Sequence, residues 1–361
     1  MPRVPRLTPL MILLALMLAA APAAAQQPAM LRGRVVAADG ARTDSLRAFV
    51  RWRAPGDTAT RVDSAAVDSA GRFALPLAEG AADSLQLVVD AADRGARAYH
   101  PALARIHRRD AQAEQGIVMV PRTWTIPTGR YAGESVAVSP HRARTPVCPG
   151  CSVFWVKDPL PDGVVRFQGW PASRFPLRVA FDREHSIPAG AAPDSAAFWR
   201  GVESMEDAFG MDLFRPARYL QTLARGMEEI GADDVVLVVV DPGLPVAGLT
   251  MALGRRGIVE YAAVSLQRRD VVRTGYGPEL VGHEMMHALG FGHTCAWRSI
   301  SADLRRCPEM RSPSPTPEDV AHAQVLYRVR DLQSAGGLRW GLDAAVAGER
   351  VLIFGIPADD P

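Results

Sequence analysis

His283-Glu284-Met285-Met286-His287-Ala288-Leu289-Gly290-Phe291-Gly292-His293 is the stretch around which the rest of the chain is organised. A helix that begins after Pro278 carries His283 and His287 four residues apart, so both imidazoles leave one face, one turn from each other. That spacing suits two nitrogen ligands of a single Zn²⁺. Glu284 beside them is placed to reach a metal-bound water and not the metal. At Gly290 the chain has to leave the helix sharply, with φ above zero, so that a third imidazole, His293, swings back. Three neutral imidazoles leave a fourth position open, which is the catalytic arrangement of zinc and not the structural one.

Outward from this string the patterning predicts an α+β or α/β layer, with α+β preferred. Leu177–Phe181 alternates as a strand, and Val235–Val240 is a β-branched run suited to a strand buried on both faces. Ile258–Leu266 is a further strand. Phe198, Val202, Met205 and Phe209 keep helical spacing between the Pro193-Asp194-Ser195 start and Gly210. After the string, Thr316-Pro317-Glu318-Asp319 has the form of a capping box with proline at the first helical position. It opens a helix from Val320 to about Val329, where Ala323, Leu326 and Tyr327 pack.

Toward the N-terminus the pattern changes to short strands separated by Gly, Asp and Ser turns: 31–36, 48–52, 67–75, 85–89 and 116–120. That is a small all-β sandwich over 26–125. His100, His107 and the Arg105–Arg109 run read as a solvated face. Residues 126–150 read as a linker. The catalytic domain then spans 151–332, and 333–361 is a C-terminal extension with a strand at Val351–Phe354.

Arg3 and Arg6, an apolar run from Leu10 to Ala20 and the exit Ala23-Ala24-Ala25 describe a secretory signal peptide over 1–25. The run falls short of the ~20 residues that span a bilayer, so no stable membrane insertion is expected. The expected location is secreted or periplasmic. Outside the cytosol thiols are usually oxidised. Four cysteines allow three connectivities, and the local pairs Cys148–Cys151 and Cys295–Cys307 are favoured. The second closes a 13-residue loop, worth ~3 kcal/mol in the chain-entropy account. With 41 Lys+Arg against 39 Asp+Glu, nothing here recommends nucleic acid as a partner.

The full H-E-x-x-H-x-x-G-x-x-H string resembles that of the metzincins, the zinc endopeptidase clan that includes astacins and matrixins. Met310 in Cys307-Pro-Glu-Met310-Arg-Ser-Pro, 17 residues after His293, resembles the clan's methionine turn. The resemblance implies a twisted mixed sheet with an active-site helix and a C-terminal helix. It implies a secreted endopeptidase acting on protein or peptide, with one catalytic Zn²⁺ on His283, His287 and His293 and Glu284 as general base to a zinc-activated water. Met310 would pack beneath the metal, and residues 311–315 would wall a specificity pocket. Gly248–Leu253 would be the edge strand that holds substrate, or else a buried core strand. Thr294 and Ser312 depart from the astacin pattern of Glu and Tyr, and the subfamily stays open. Gly33-Arg-Val-Val and Asp68–Phe73 in the β domain resemble carboxypeptidase-regulatory or transthyretin-like modules, retained or shed as a propeptide.

The alternatives are a peptidase with Glu309 as third ligand, a zinc hydrolase of a non-peptide or cell-wall amide, and an exported binding protein with a decayed site. Cys148-Pro-Gly-Cys151 is a seam disulfide, a redox pair or a latency device. Calcium ligands and oligomeric state are not assigned.

Overall fold

The computed structural model describes residues 29–53, 58–77, 84–91, 98–100, 102–138, 155–157, 166–182, 192–217, 235–255, 258–273, 275–335, 339–340 and 352–357. The signal segment 1–25 and Cys148 and Cys151 lie outside them. The architecture is mixed α+β, and no described helix is long and apolar enough to cross a membrane.

Seven strands come first: β1 (Met30–Ala37), β2 (Leu46–Trp52), β3 (Arg61–Ala66), β4 (Arg72–Pro76), β5 (Ser84–Ala91), β6 (Ala102–His107) and β7 (Gln115–Met119). β1 pairs antiparallel with β4 and parallel with β7, while β3-β2-β5-β6 form an antiparallel sheet. The alternation visible in the sequence is the pleat: Leu31 and Val35, Ala48 and Val50, and Phe73 and Leu75 turn into one shared core between the sheets. Two strands were not foreseen. β3 is an edge with almost every side chain in water, so it carries no apolar alternation. β6 takes in the expected solvated run at Arg105, because Ile106 is buried opposite Leu85.

The next segment departs from expectation. Residues 123–138, whose part from 126 onward was predicted as linker, form the hairpin β8 (Thr123–Thr125) and β9 (Ser135–Ala137). Ile126 and Val136 belong to the main core, the Trp124 indole donates to Gln324 Oε1 at 2.9 Å, and the Tyr131 hydroxyl donates to Pro315 O at 2.8 Å. The Pro and Gly content masked an apolar face. A second hairpin, β10 (Trp155–Lys157) with β11 (Arg166–Gln168), follows.

The site-bearing body consists of β12 (Leu177–Phe181), α1 (Ala192–Phe209), β13 (Phe214–Pro216), β14 (Val235–Asp241), β15 (Val246–Arg255), β16 (Ile258–Gln267), the short α2 (Arg268–Val271), α3 (Tyr276–Ala288) and α4 (Pro317–Ser334). Beyond it come β17 (Arg339–Trp340) and β18 (Leu352–Pro357). The large sheet has the order β13-β12-β14-β16-β15-β18. The first four are mutually parallel, and β15 runs antiparallel to both its neighbours. Phe198, Val202 and Met205 of α1 and Leu280, Val281 and Met285 of α3 are buried in one core with the sheet. The α3 helix starts two residues before the expected Pro278 boundary, capped by Gly275.

The helix α4 serves two bodies. Its capping box is present, with Thr316 N–H donating to Asp319 Oδ2 at 3.0 Å. Val320, Ala323, Leu326 and Tyr327 enter the main core, while Val325 and Val329 pack with Ala38 and Val138. The stretch expected as a plain C-terminal extension contributes to both sheets: β17 runs parallel beside β7, and β18 lies on β15.

His322 of α4 is buried, stacked on Trp297 with ring centroids 4.5 Å apart, and its Nδ1–H meets Glu318 O at 2.7 Å. Burial, the largest cause, lowers its pKa from 6.5 to about 4. The folded value lies below the unfolded one, so as pH falls from 6.5 toward 4 the unfolded chain takes up a proton that the folded chain refuses. Stability therefore falls across that window. His322→Phe should flatten this limb of a thermal-melt pH series, by up to about 3 kcal/mol. An unchanged slope would exclude His322 as its source.

Candidate metal centre

The α3 helix delivers His283 and His287 from the same face, as their spacing requires. Gly290 then adopts φ +106°, and its N–H bonds back to His287 O at 3.0 Å. The chain turns there and returns His293 to the other two. The three Nε2 atoms stand 3.1 Å (His283 to His287), 3.2 Å (His283 to His293) and 3.2 Å (His287 to His293) apart.

The other ring nitrogens show what this means. His283 Nδ1 lies 2.7 Å from Ile300 O, and His287 Nδ1 lies 2.7 Å from Phe291 O. A carbonyl only accepts, so each Nδ1 carries the hydrogen and, in a neutral ring, each Nε2 presents a lone pair. Lone pairs facing one another at 3.1 Å repel, and a cation placed between them would offset that repulsion. Burial first, and then the charge of His293, lowers His283 to about 3 and puts His287 well below its ordinary value; burial also lowers His293. Two nitrogens ~2.0–2.1 Å from one tetrahedral ion lie about 3.3 Å apart, which the observed triangle matches closely. The group can hold a metal ion. Glu309, the rival third ligand, is exposed and not part of it.

The ring orientations are held from further out. Asp319, buried at the start of α4, accepts from Ser299 Oγ at 2.6 Å, Ile300 N at 3.1 Å and Trp297 Nε1 at 3.3 Å. Its carboxylate thus fixes the peptide whose carbonyl orients His283. Burial raises its pKa, and the four donors oppose that shift. From sequence Asp319 was legible only as a capping residue, because partners 19–22 residues away leave no local trace. The same is true of Arg311, which pairs with Glu279 in the first turn of α3 and sits 5.3 Å from the centre of the Tyr276 ring.

Below this loop, Cys295 and Cys307 form the expected disulfide, with Cα atoms 5.8 Å apart. Half-buried Met310 packs on it, and Met310 O accepts from Ser299 N at 2.8 Å, one residue before Ile300. Thr294 turns inward, its Oγ1 accepting from Ala296 N.

Glu284 is wholly buried. Thr250 Oγ1–H, from β15, donates to its Oε2 at 2.5 Å, while Oε1 has no hydrogen-bond partner. Gly248, two residues earlier on β15, leaves the room that Oε1 occupies, since a Cβ there would collide with it. Burial pushes the carboxyl up to about 8, against the lowering effect of the Thr250 bond. Neither Gly248 nor Thr250 was foreseen as a partner of Glu284. Of the two readings of Gly248–Leu253, edge strand or core strand, the second holds, because β16 and β18 pair with its two sides.

No protein-family model, no curated protein and no solved structure matches this chain.

Gly290→Ala should cost about 1–3 kcal/mol, from forcing a Cβ into the left-handed region. It should also weaken metal binding, probed with Zn²⁺, at least roughly tenfold by displacing His293. Chelator competition on the purified variant checks this, and unchanged zinc affinity would free His293 from any dependence on that turn.

Proposed function

We propose that the chain is an exported zinc-dependent endopeptidase of metzincin type, hydrolysing peptide bonds. The observation that carries this is the triangle of Nε2 atoms, two of them on buried rings, with Glu284 between those two on the same helix. Three imidazole nitrogens favour zinc over the oxygen-loving cations. Four parallel strands followed by one antiparallel strand beside the site helix agree with the resemblance drawn from the string. The disulfide agrees with life outside the reducing cytosol.

His283, His287 and His293 would hold the zinc, whose Lewis acidity would make water a nucleophile near neutral pH and stabilise charge on a substrate carbonyl. The protein handles the proton. Thr250 occupies Oε2 of Glu284, so the unpartnered Oε1 is the atom that accepts a proton from the attacking water. Glu284 then gives that proton to the departing amine nitrogen. The Ile300 and Phe291 carbonyls hold the His283 and His287 rings in the tautomer whose Nε2 faces the ion. Asp319 and the disulfide keep that loop in place.

The purified mature chain should contain one zinc and cleave casein or a quenched peptide. Glu284→Gln should keep the zinc and lose cleavage by roughly 10²–10⁴-fold. Absence of zinc after reconstitution, or equal cleavage by the variant, would overturn the assignment. Thr250→Val should lower kcat about tenfold with zinc content unchanged, and Thr250→Ser should restore it, in keeping with a hydrogen bond worth roughly 1–1.5 kcal/mol. If Val and Ser behave alike, the hydroxyl has no part in placing Glu284.

A further inference from the structure

The large sheet ends on a strand that is remote in sequence from its neighbour. β18 lies antiparallel on β15, with Ala252 opposite Leu352, Met251 opposite Ile353, Thr250 opposite Phe354, Leu249 opposite Gly355 and Gly248 opposite Ile356. Two of these β15 residues, Gly248 and Thr250, are the ones that cradle the Glu284 carboxylate. A strand has two hydrogen-bonding edges. One edge of β15 is taken by β16, and β18 takes the other over the residues nearest Glu284. An extended peptide that bound through main-chain hydrogen bonds beside Glu284 would need that same row of groups.

The segment has the composition of such a ligand: Leu352-Ile-Phe-Gly-Ile-Pro357 is apolar and uncharged, and Pro357, which has no N–H, ends the pairing opposite Val246. It is also tethered. Arg339 and Trp340 pair with β7 on the N-terminal sheet, so the tail is anchored before it reaches β15. A short tether presents its end at an effective concentration in the millimolar range, against which a free peptide has to compete.

We propose that β18 is a built-in occupant of the strand-docking site along β15, and that a substrate peptide enters by displacing it. The full chain is then self-restrained, and lifting or cutting the tail releases it. Competition with substrate rests on the peptidase reading; the seat of the tail on β15 does not.

The test uses the full chain and a double variant, Ile353→Pro with Phe354→Pro. Adjacent strand residues point their N–H groups to opposite sides, so one of the two prolines removes a donor that faces β15. Amide hydrogen exchange is read at Leu249–Ala252. In the variant, the β15 amides that face β18 should lose protection by roughly 100-fold, while those of β14 and β16 keep theirs and report an intact fold. A synthetic peptide of residues 351–357 at millimolar concentration should restore the protection. The variant should also cleave a quenched peptide with a KM lowered roughly tenfold, and the added 351–357 peptide should inhibit it. Unchanged exchange at β15 would overturn the seat. Lost protection with unchanged KM would overturn the restraint. If neither chain cleaves any peptide, the peptidase reading fails by itself, and exchange in the double variant, with and without the 351–357 peptide, still decides the seat.

Discussion

Three imidazole Nε2 atoms converge within 3.2 Å of one another, and the body around them holds that arrangement. His283 and His287 are buried, His293 is half-buried, and the first two are turned by backbone carbonyls so that only Nε2 faces inward. Nitrogens so placed can share one metal ion. The positive φ of Gly290, the disulfide at 295–307 and the depth of α3 in the core follow from holding those rings in place.

The support is arranged in tiers from different parts of the chain. Asp319 caps α4 and, with the same carboxylate, holds the Ile300 peptide that turns His283. Met310 and the disulfide carry the loop from beneath, through the Ser299–Met310 backbone bond. On the other side of α3, a single strand supplies both the space and the hydrogen bond for Glu284. The geometry of the three histidines thus depends on two loops and a helix cap, and that of Glu284 on the sheet. The two halves of the site can be altered separately.

The sequence made the local parts of this legible and concealed the remote ones. His283, His287, Gly290 and His293 were readable because helix periodicity and the demands of a turn act over a few residues. The α4 capping box and the β14 run of valines were readable for the same reason. Gly248, Thr250, the contacts of Asp319 to residues 297–300 and the Arg311–Glu279 pair were not, since each partner sits 19 or more residues away and is brought near only by the fold. From residue 126 onward the β8–β9 hairpin is hidden in the sequence, because its Pro and Gly turn residues obscure the apolar pair Ile126 and Val136. The β18 strand itself was expected. Its neighbour was not, because sequence alternation gives a strand its faces but not the edge it joins.

The helix α4 has a consequence of a mechanical kind. One end grips the metal loop through Asp319, and about 15 Å along the rod Val329 grips the N-terminal sheet through Ala38. A rod clamped at both ends carries displacement from one to the other. Shedding the N-terminal domain would therefore do more than lighten the molecule: it would uncover Val138, Val325 and Val329 as a wet apolar patch and unclamp the far end of the helix that sets the pitch of the His283 ring.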